Sequence, residues 1–433
     1  MSVKILVISH NVLSMSSSMG KTLANFLAEI APENVAQLYF HTEVPTSNAC
    51  KNYFRITDFD MLKKRKTVIG DTFTSADIKC ELASERVDSG YEAQIYQFCR
   101  QRKPYMYIGR NLVWSTKKWH NKKLLEWIDD FNPDVIFFAS GDYVFSYKVA
   151  MSIAEYKNIP IVTYVCDDYY FLKRNSISPL YYIHRIQYKK TLRKLFKEHK
   201  EAITICDKIT TDYDKEFDIN CKTIMTSSSL ESFAPKSTDG NVVISYLGNM
   251  GYNRYLQLIE IGRALQEISN GKLFVDVYSS EIRKEITDLL TKENGIRFYG
   301  NVSYDKVVDV MRNSDILIHT EAFDKINRDK VRYSVSTKIA DTLTCGRCLF
   351  AYGPADVASI EYLIENDCAC IAVSKSELKD KLSDIVFNEA SRNRYTDNAL
   401  LLARKNHNII ANGKLFRQIM EKAAGDSYES NAN

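Results

Sequence analysis

The feature that most constrains this chain is a repeated alternation of short apolar runs with segments of helical spacing. The first run covers residues 3–9. Asp134-Val135-Ile136-Phe137-Phe138-Ala139-Ser140-Gly141, Ile159-Pro160-Ile161-Val162-Thr163-Tyr164-Val165 and Ala202-Ile203-Thr204-Ile205 follow it. A second series opens at Val242-Val243-Ile244-Ser245-Tyr246-Leu247 and continues through 273–278, 296–302, 316–319 and 348–352. Between the runs, apolar residues recur at helical spacing. Leu23, Phe26, Leu27 and Ile30 share one face of a helix predicted over 21–30, and further helices are predicted at 150–156, 256–268, 281–291 and 304–313. Strands apolar on both faces, joined by helices, form parallel sheets covered on both sides. Two such series, each with its own opening loop, predict an α/β chain of two Rossmann-like domains facing a cleft. A final helical region is expected over 376–424.

The chain of 433 residues suits two domains of about 200. Its 45% hydrophobic and 26% charged residues are ordinary for a globular protein. No apolar run approaches the roughly 18 residues of a membrane span. The N-terminal run is short, β-rich and lacks a small-residue cleavage site, so it reads as a strand and not a signal peptide. The 10 cysteines are scattered, unlike the disulfide frameworks of small secreted chains. The expectation is a cytoplasmic protein.

Charge is uneven. Residues 1–235 hold 32 Lys and Arg against 27 Asp and Glu, and the remainder holds 26 against 27. Basic clusters stand at Lys63-Lys64-Arg65-Lys66, Lys117-Lys118, Lys122-Lys123 and Tyr188-Lys189-Lys190-Thr191-Leu192-Arg193-Lys194-Leu195-Phe196-Lys197. Such patches suit the inner, anionic face of a membrane or a phosphate-bearing acceptor; solvated helix faces are the plainer reading. With an overall balance of only +4 and no nucleic-acid motif, a nucleic-acid partner is not expected.

The most informative stretch is Tyr333-Ser334-Val335-Ser336-Thr337-Lys338-Ile339-Ala340-Asp341-Thr342-Leu343-Thr344-Cys345-Gly346. It reads as a turn feeding a short helix, with Ser336 or Thr337 as N-cap and Gly346 at the end. A helix start with its unpaired amides seats phosphate, and Lys338 adds a full positive charge there. Asp341, one turn deeper on the same face, is within reach of a ribose. The plainer reading is a capped helix packing Ile339 and Leu343 into a core.

In the first half, a serine-rich loop, 11–20, follows the first strand. Ser18 and Gly20 are candidates for holding an acceptor, Gly20 by letting it approach the backbone. Gly20-Lys21-Thr22 resembles the end of a Walker A loop, but the first glycine of that motif would fall on Met15. Asp167 and Asp168 follow a buried strand, where doubly wound sheets place ligands. Asp167 is an acceptor-binding candidate and Asp168 a catalytic one, with a capping role as the alternative. Asp58-Phe59-Asp60 and Asp212-Tyr213-Asp214 are Asp-x-Asp patterns without a convincing strand before them, so no metal site is assigned. Residues 226–241 read as a linker.

Several of these motifs together resemble the two-Rossmann-domain (GT-B) glycosyltransferases of the retaining family GT4. They are Tyr246-Leu247-Gly248-Asn249 with Arg254, Phe298-Tyr299-Gly300-Asn301-Val302, and Ser336-Thr337-Lys338-Ile339 with Asp341, Gly346 and Tyr352-Gly353-Pro354. The resemblance covers most of the chain and is strongest over 243–373. It implies an acceptor-binding domain over 1–235, a nucleotide-sugar domain over 236–405, and a C-terminal helix and tail, 406–433, packing back on the first domain. It implies a metal-independent, cofactor-free transfer from a UDP- or GDP-linked sugar to a lipid-linked or glycan acceptor in surface polysaccharide assembly. The donor would be held by Gly248, Asn249, Arg254, Asn301, Val302, Ser336, Thr337, Lys338 and Asp341. The family often has two glutamates with seven residues between them. Asp341 stands at the second position and Tyr333 at the first, so the sugar-facing role passes to Glu321, at the end of the preceding strand. A sugar-nucleotide epimerase of the same architecture and a non-catalytic binding module are the alternatives.

Other chemistries are weaker. Cys345-Gly346-Arg347-Cys348 and Cys368-Ala369-Cys370 lack a matched zinc spacing. The seven histidines form no metal motif, and no Gly-x-Ser-x-Gly elbow exists.

Overall fold

The computed structural model describes residues 2–14, 18–63, 68–75, 103–172, 174–236 and 242–432, with the backbone alone over 426–432. Met15 and its neighbours in the serine-rich loop, Lys64-Arg65-Lys66 of the first basic cluster and the end of the predicted linker lie outside the described residues. The chain divides into two compact units, Met1–Met225 with Ile409–Asn433, and Thr226–Asn408. The described part of the linker stretch therefore belongs to the second unit.

The first unit is built on eight strands: β1 (Ile5–Ser9), β2 (Val35–Tyr39), β3 (Asn52–Arg55), β4 (Asp71–Thr74), β5 (Val135–Ala139), β6 (Ile161–Val165), β7 (Glu201–Thr204) and β8 (Asn220–Thr223). Their order is β4-β3-β2-β1-β5-β6-β7-β8. Every pairing is parallel except β3 with β4. The order reverses between β1 and β5, the crevice where open parallel sheets receive ligands. The helix Ile409–Ala432 returns to this unit. Its Phe416 lies fully buried, parallel to Phe26 at 5.7 Å between ring centres and edge-on to Phe137 at 4.8 Å. The last helix thus completes the core that β1, β5 and the helix Ser18–Phe26 begin.

The second unit carries β9 (Ile244–Leu247), β10 (Val275–Tyr278), β11 (Ile296–Gly300), β12 (Ile316–Thr320), β13 (Cys348–Tyr352) and β14 (Cys370–Ala372), in the order β11-β10-β9-β12-β13-β14. All are parallel, and the switch point lies between β9 and β12. The first and last segments of this unit run side by side: Ser228 bridges Asn408, and the Ser228 amide donates to the His407 carbonyl at 3.0 Å.

The helix expected over 281–291 is a correction. Glu281 accepts from the amides of Ile282 and Arg283 at 3.1 and 2.9 Å, and that turn leaves only the short helix Lys284–Thr287 and a 3-10 turn at Lys292–Asn294. Local carboxylate-to-amide bonding competes with helix here. Cys348 and Cys370 are core residues of the second unit, and burial pushes their thiols well above the ordinary value.

Candidate functional site

In the second unit a small pocket opens at the carboxyl ends of β9 and β12. It is lined by Tyr246, Gly248 and Asn249 from the β9 end, by His319 and Thr320 from β12, by Arg254, and by Ser336, Lys338 and Thr342. Parallel strands end there, and two helices begin there: Arg254–Ile268 and Thr337–Thr344.

The turn before the first helix is unusual. Tyr252 and Asn253 are both left-handed, at φ 58° and 60°, a conformation uncommon outside glycine. The turn makes Arg254 the first helical residue. Its guanidinium lies 5.5 Å from the Tyr252 ring centre, and Asn253 is tied to Asp324 at 3.2 Å. Gly248 is required by close approach: a Cβ there would stand 2.4 Å from the Tyr246 ring and hydroxyl. That hydroxyl donates to the Asn249 carbonyl at 2.7 Å, closing the β9 loop around the ring.

Arg254 donates through Nε and Nη2 to the two oxygens of Glu321, both at 3.0 Å. Glu321 is 1% exposed, and His319 Nε2 approaches it at 3.4 Å. Burial raises the Glu321 carboxyl, but the contacts with His319 and Arg254 outweigh it and hold the group below its usual value. This bidentate pairing fixes the plane of the guanidinium and leaves its Nη1 edge unbonded among the described residues.

Lys338 is in the first turn of its helix and is exposed overall, yet the surrounding protein crowds its ammonium. Burial first and the Arg254 charge second lower it to about 8. No carboxylate pairs with it among the described residues. Ser336 occupies the N-cap position but makes no capping bond; it lines the pocket instead. Two cations and the start of a helix therefore converge on one pocket, and among the described residues the one carboxylate paired with either cation is Glu321, behind Arg254. Such a site can take a doubly charged phosphate group.

Of the sequence candidates, the structure brings Gly248, Asn249, Arg254, Ser336 and Lys338 to this pocket, with Glu321 behind Arg254. Thr337 begins the helix without lining the pocket. Asp341 also lies off the lining, and its carboxylate accepts the Ser228 hydroxyl at 2.5 Å. Asn301 and Val302 follow β11 at the sheet edge, away from this lining. His319 and Tyr246 are pocket residues that the sequence reading missed. A histidine closing the buried run Ile316-Leu317-Ile318 was the available signal.

In the first unit, Ser18 begins the helix Ser18–Phe26 and is exposed, and Gly20 is buried within that helix. Gly20-Lys21-Thr22 is therefore helical and not a phosphate loop. Asp167 is exposed at the β6 end. Asp168 accepts from the amides of Tyr170 and Phe171 at 2.9 and 3.0 Å and from the Tyr213 hydroxyl at 3.0 Å. Burial raises its carboxyl against these bonds. Its bonding organises the turn after β6. The Asp-x-Asp residues are likewise engaged: Asp58 with Arg110 and Trp114, Asp60 in a capping box with Thr57, and Asp214 with the Cys221 amide.

No protein-family profile matches this sequence, and no curated protein sequence does. Solved structures do. HepE of Anabaena, determined with UDP, aligns at 11% identity and a TM-score of 0.60 over 97% of this chain and 100% of its own. WaaG, a glycosyltransferase involved in lipopolysaccharide biosynthesis, aligns at 12% identity and a TM-score of 0.54 over 97% and 98%. The trehalose 6-phosphate synthase of Burkholderia multivorans aligns at 10% identity and a TM-score of 0.63 over 100% and 99%. With two Rossmann-like units in one chain and these likenesses along its whole length, the protein has the GT-B glycosyltransferase fold.

Proposed function

We propose that the protein is a glycosyltransferase that binds a nucleotide-diphosphate sugar at the pocket between β9 and β12. It would pass the sugar to a lipid-linked or glycan acceptor in surface polysaccharide assembly. The observation that carries this reading is the convergence of Arg254 and Lys338, from the first turns of two helices, on one pocket where Lys338 has no carboxylate partner among the described residues. As the bond between sugar and diphosphate breaks, negative charge grows on the leaving phosphate. The Lys338 ammonium, the Nη1 edge of Arg254 and the first-turn amides of the helix Thr337–Thr344 stabilise that charge in place. Glu321 acts through Arg254, holding its plane, and not by touching the sugar. Asp341 takes the ribose hydroxyls in exchange for its bond to Ser228.

The relatives in fold support a nucleotide-sugar donor, since HepE has been determined with UDP and with UDP and glucose. UDP is therefore the first nucleotide to test. Thermal unfolding of the full chain against UDP, GDP, ADP and CMP, with and without Mg²⁺, should show stabilisation by one diphosphate. At 100 times its dissociation constant a ligand adds about 2.7 kcal/mol. A folded protein that responds to none of them overturns the reading. Product analysis then separates transfer, which needs an acceptor, from epimerisation, which does not.

A further inference from the structure

The face formed by the helices Pro104–Ser115 and Pro179–Glu198 belongs to the first unit and has no part in the donor site. The second helix exposes one continuous stripe of positions 182, 183, 186, 187, 190, 193, 194 and 197. Its chemistry changes along the axis. The N-terminal part is Tyr182, Ile183 and Ile186, with Ile186 68% exposed. The C-terminal part is Lys190, Arg193, Lys194 and Lys197, with the exposed Glu198 closing the helix. Arg193 and Lys194 have partners in Glu216 and Glu198, whereas Lys190 and Lys197 form no ion pair among the described residues.

The apolar end is extended by its neighbours. Asn111 donates to Gln187 at 3.2 Å, so the two helices lie side by side there, and Leu112 beside it is 66% exposed. Before the second helix, the Ser176 amide donates to the Tyr182 hydroxyl at 3.3 Å and the Ser178 amide to the Ser176 hydroxyl at 3.2 Å. These bonds hold Ile177 at the tip of a turn with its side chain wholly exposed. Isoleucines displayed together on a bonded turn and the helix that follows it mark a contact surface.

We infer that this face docks on an anionic lipid surface, with Ile177, Ile183 and Ile186 entering the headgroup boundary and Lys190, Lys194 and Lys197 meeting the phosphates behind them. The lysines decide the occupant. Lysine is depleted at protein–protein interfaces, whereas an apolar tip followed by a basic stripe supplies the two signals that reversible membrane binding needs. The helix is 20 residues long, about 30 Å, so the division along its axis sets it down tilted, N-terminal end first. This inference stands apart from the donor-site reading, because none of its residues belongs to the second unit.

Flotation of the full chain with phosphatidylcholine vesicles, with and without an equal part of phosphatidylglycerol, tests it. Binding is expected to the anionic vesicles only, weakening as salt rises. The double variant Ile183→Asn/Ile186→Asn should bind about tenfold less or weaker still, as should Lys190→Gln/Lys194→Gln. In Ile177→Trp, the added indole should be quenched by brominated anionic lipid. Unchanged thermal unfolding of each variant keeps the comparison to folded protein. The inference is overturned if the folded protein ignores anionic vesicles, if the isoleucine variant binds like the parent, or if that variant converts a dimer to a monomer. The last result would make a second copy of the chain the occupant.

Discussion

Arg254 and Glu321 meet edge to edge, Nε to Oε2 and Nη2 to Oε1 at 3.0 Å each, across the switch point of the second sheet. One residue starts the helix after β9 and the other follows β12, so the pair joins the two elements that flank the pocket. With Glu321 1% and Arg254 18% exposed, removing one partner leaves a charge in a poorly solvated place. Glu321→Ala should cost about 3–5 kcal/mol in urea unfolding and weaken nucleotide diphosphate binding, because Arg254 loses its fixed plane. Glu321→Gln, which keeps shape and one acceptor, should fall between. The folded carboxyl is held below its usual value. The pair's contribution is thus present above the ordinary glutamate range and lost as pH falls through the lowered value. A Glu321→Ala protein as stable as the parent would refute the pair's structural role.

Lys338 separates binding from titration. Lys338→Ala should lower transfer by on the order of a hundredfold or more, the scale of one preorganised electrostatic contact. The ammonium sits at about 8, below the ordinary 10.5. Diphosphate affinity should therefore be highest below about 8 and fall as pH rises through it. The sign for stability is opposite: the folded state disfavours the charged lysine, so that penalty is present at low pH and relieved as pH rises from about 8 toward 10.5. Lys338→Arg, with a group that stays protonated, should carry the affinity to higher pH. An affinity in the parent that does not change between pH 7 and 10 would rule out Lys338 as the diphosphate contact.

The fold was legible because the sheets are parallel except at β3 and β4, and their central strands are apolar runs that end in polar loops; β3, β4 and β8, with Asn52, Arg55, Asp71, Thr72, Asn220 and Lys222 among their residues, lack that pattern. Lys338 is read from the helix start that carries it and Arg254 from the family resemblance, and both sit in first helical turns. Pairings distant in sequence were not legible. The bonds of Asp168 to the amides of its own turn match the local capping reading, but nothing local says that Asp341 bonds Ser228, that Tyr213 also bonds Asp168, or that Glu321 faces Arg254. The helix expected over 281–291 failed for a local reason, a carboxylate that captures two amides before the helix can use them. Residues such as Asn301 and Val302 were placed by resemblance alone, and their position at the sheet edge depends on strand order, which apolar patterning does not encode.

Gly248 owes its identity to Tyr246. A methyl at 248 would meet the Tyr246 ring at 2.4 Å, and that ring is buried and bonded to the Asn249 carbonyl. Gly248→Ala should destabilise the second unit by about 1–3 kcal/mol, the usual cost of overpacking, and displace the β9 loop from the pocket. The paired change Gly248→Ala/Tyr246→Leu should recover part of the stability, since it removes the clashing ring atoms. Calorimetry on the three variants decides this. If the second substitution adds its own loss in full, the clash is not the reason for glycine.

His407 ties the two ends of the second unit together. Its Nδ1 lies 2.7 Å from the Thr226 carbonyl, which requires a proton on Nδ1, and its Nε2 then accepts from the Tyr362 hydroxyl at 3.0 Å. The Asn406 amide in turn donates to that hydroxyl at 3.1 Å. Burial lowers the imidazole to about 4, against an ordinary 6.5, and the bond to Thr226 only partly opposes it. Between these values the unfolded chain binds the extra proton and the folded one does not. Stability is therefore full above 6.5 and drains as pH falls toward 4, by about 3 kcal/mol for this group. His184, also lowered to about 4 by burial, adds to the same slope in the first unit. His407→Leu should be less stable at pH 7 by about 1–3 kcal/mol, because Thr226 and Tyr362 are left with an unmet acceptor and donor. Its stability should also fall less steeply between pH 6.5 and 4. Urea unfolding of both proteins across that range measures the two effects separately, and a variant with the parent's acid slope would show that His407 is not the group being protonated.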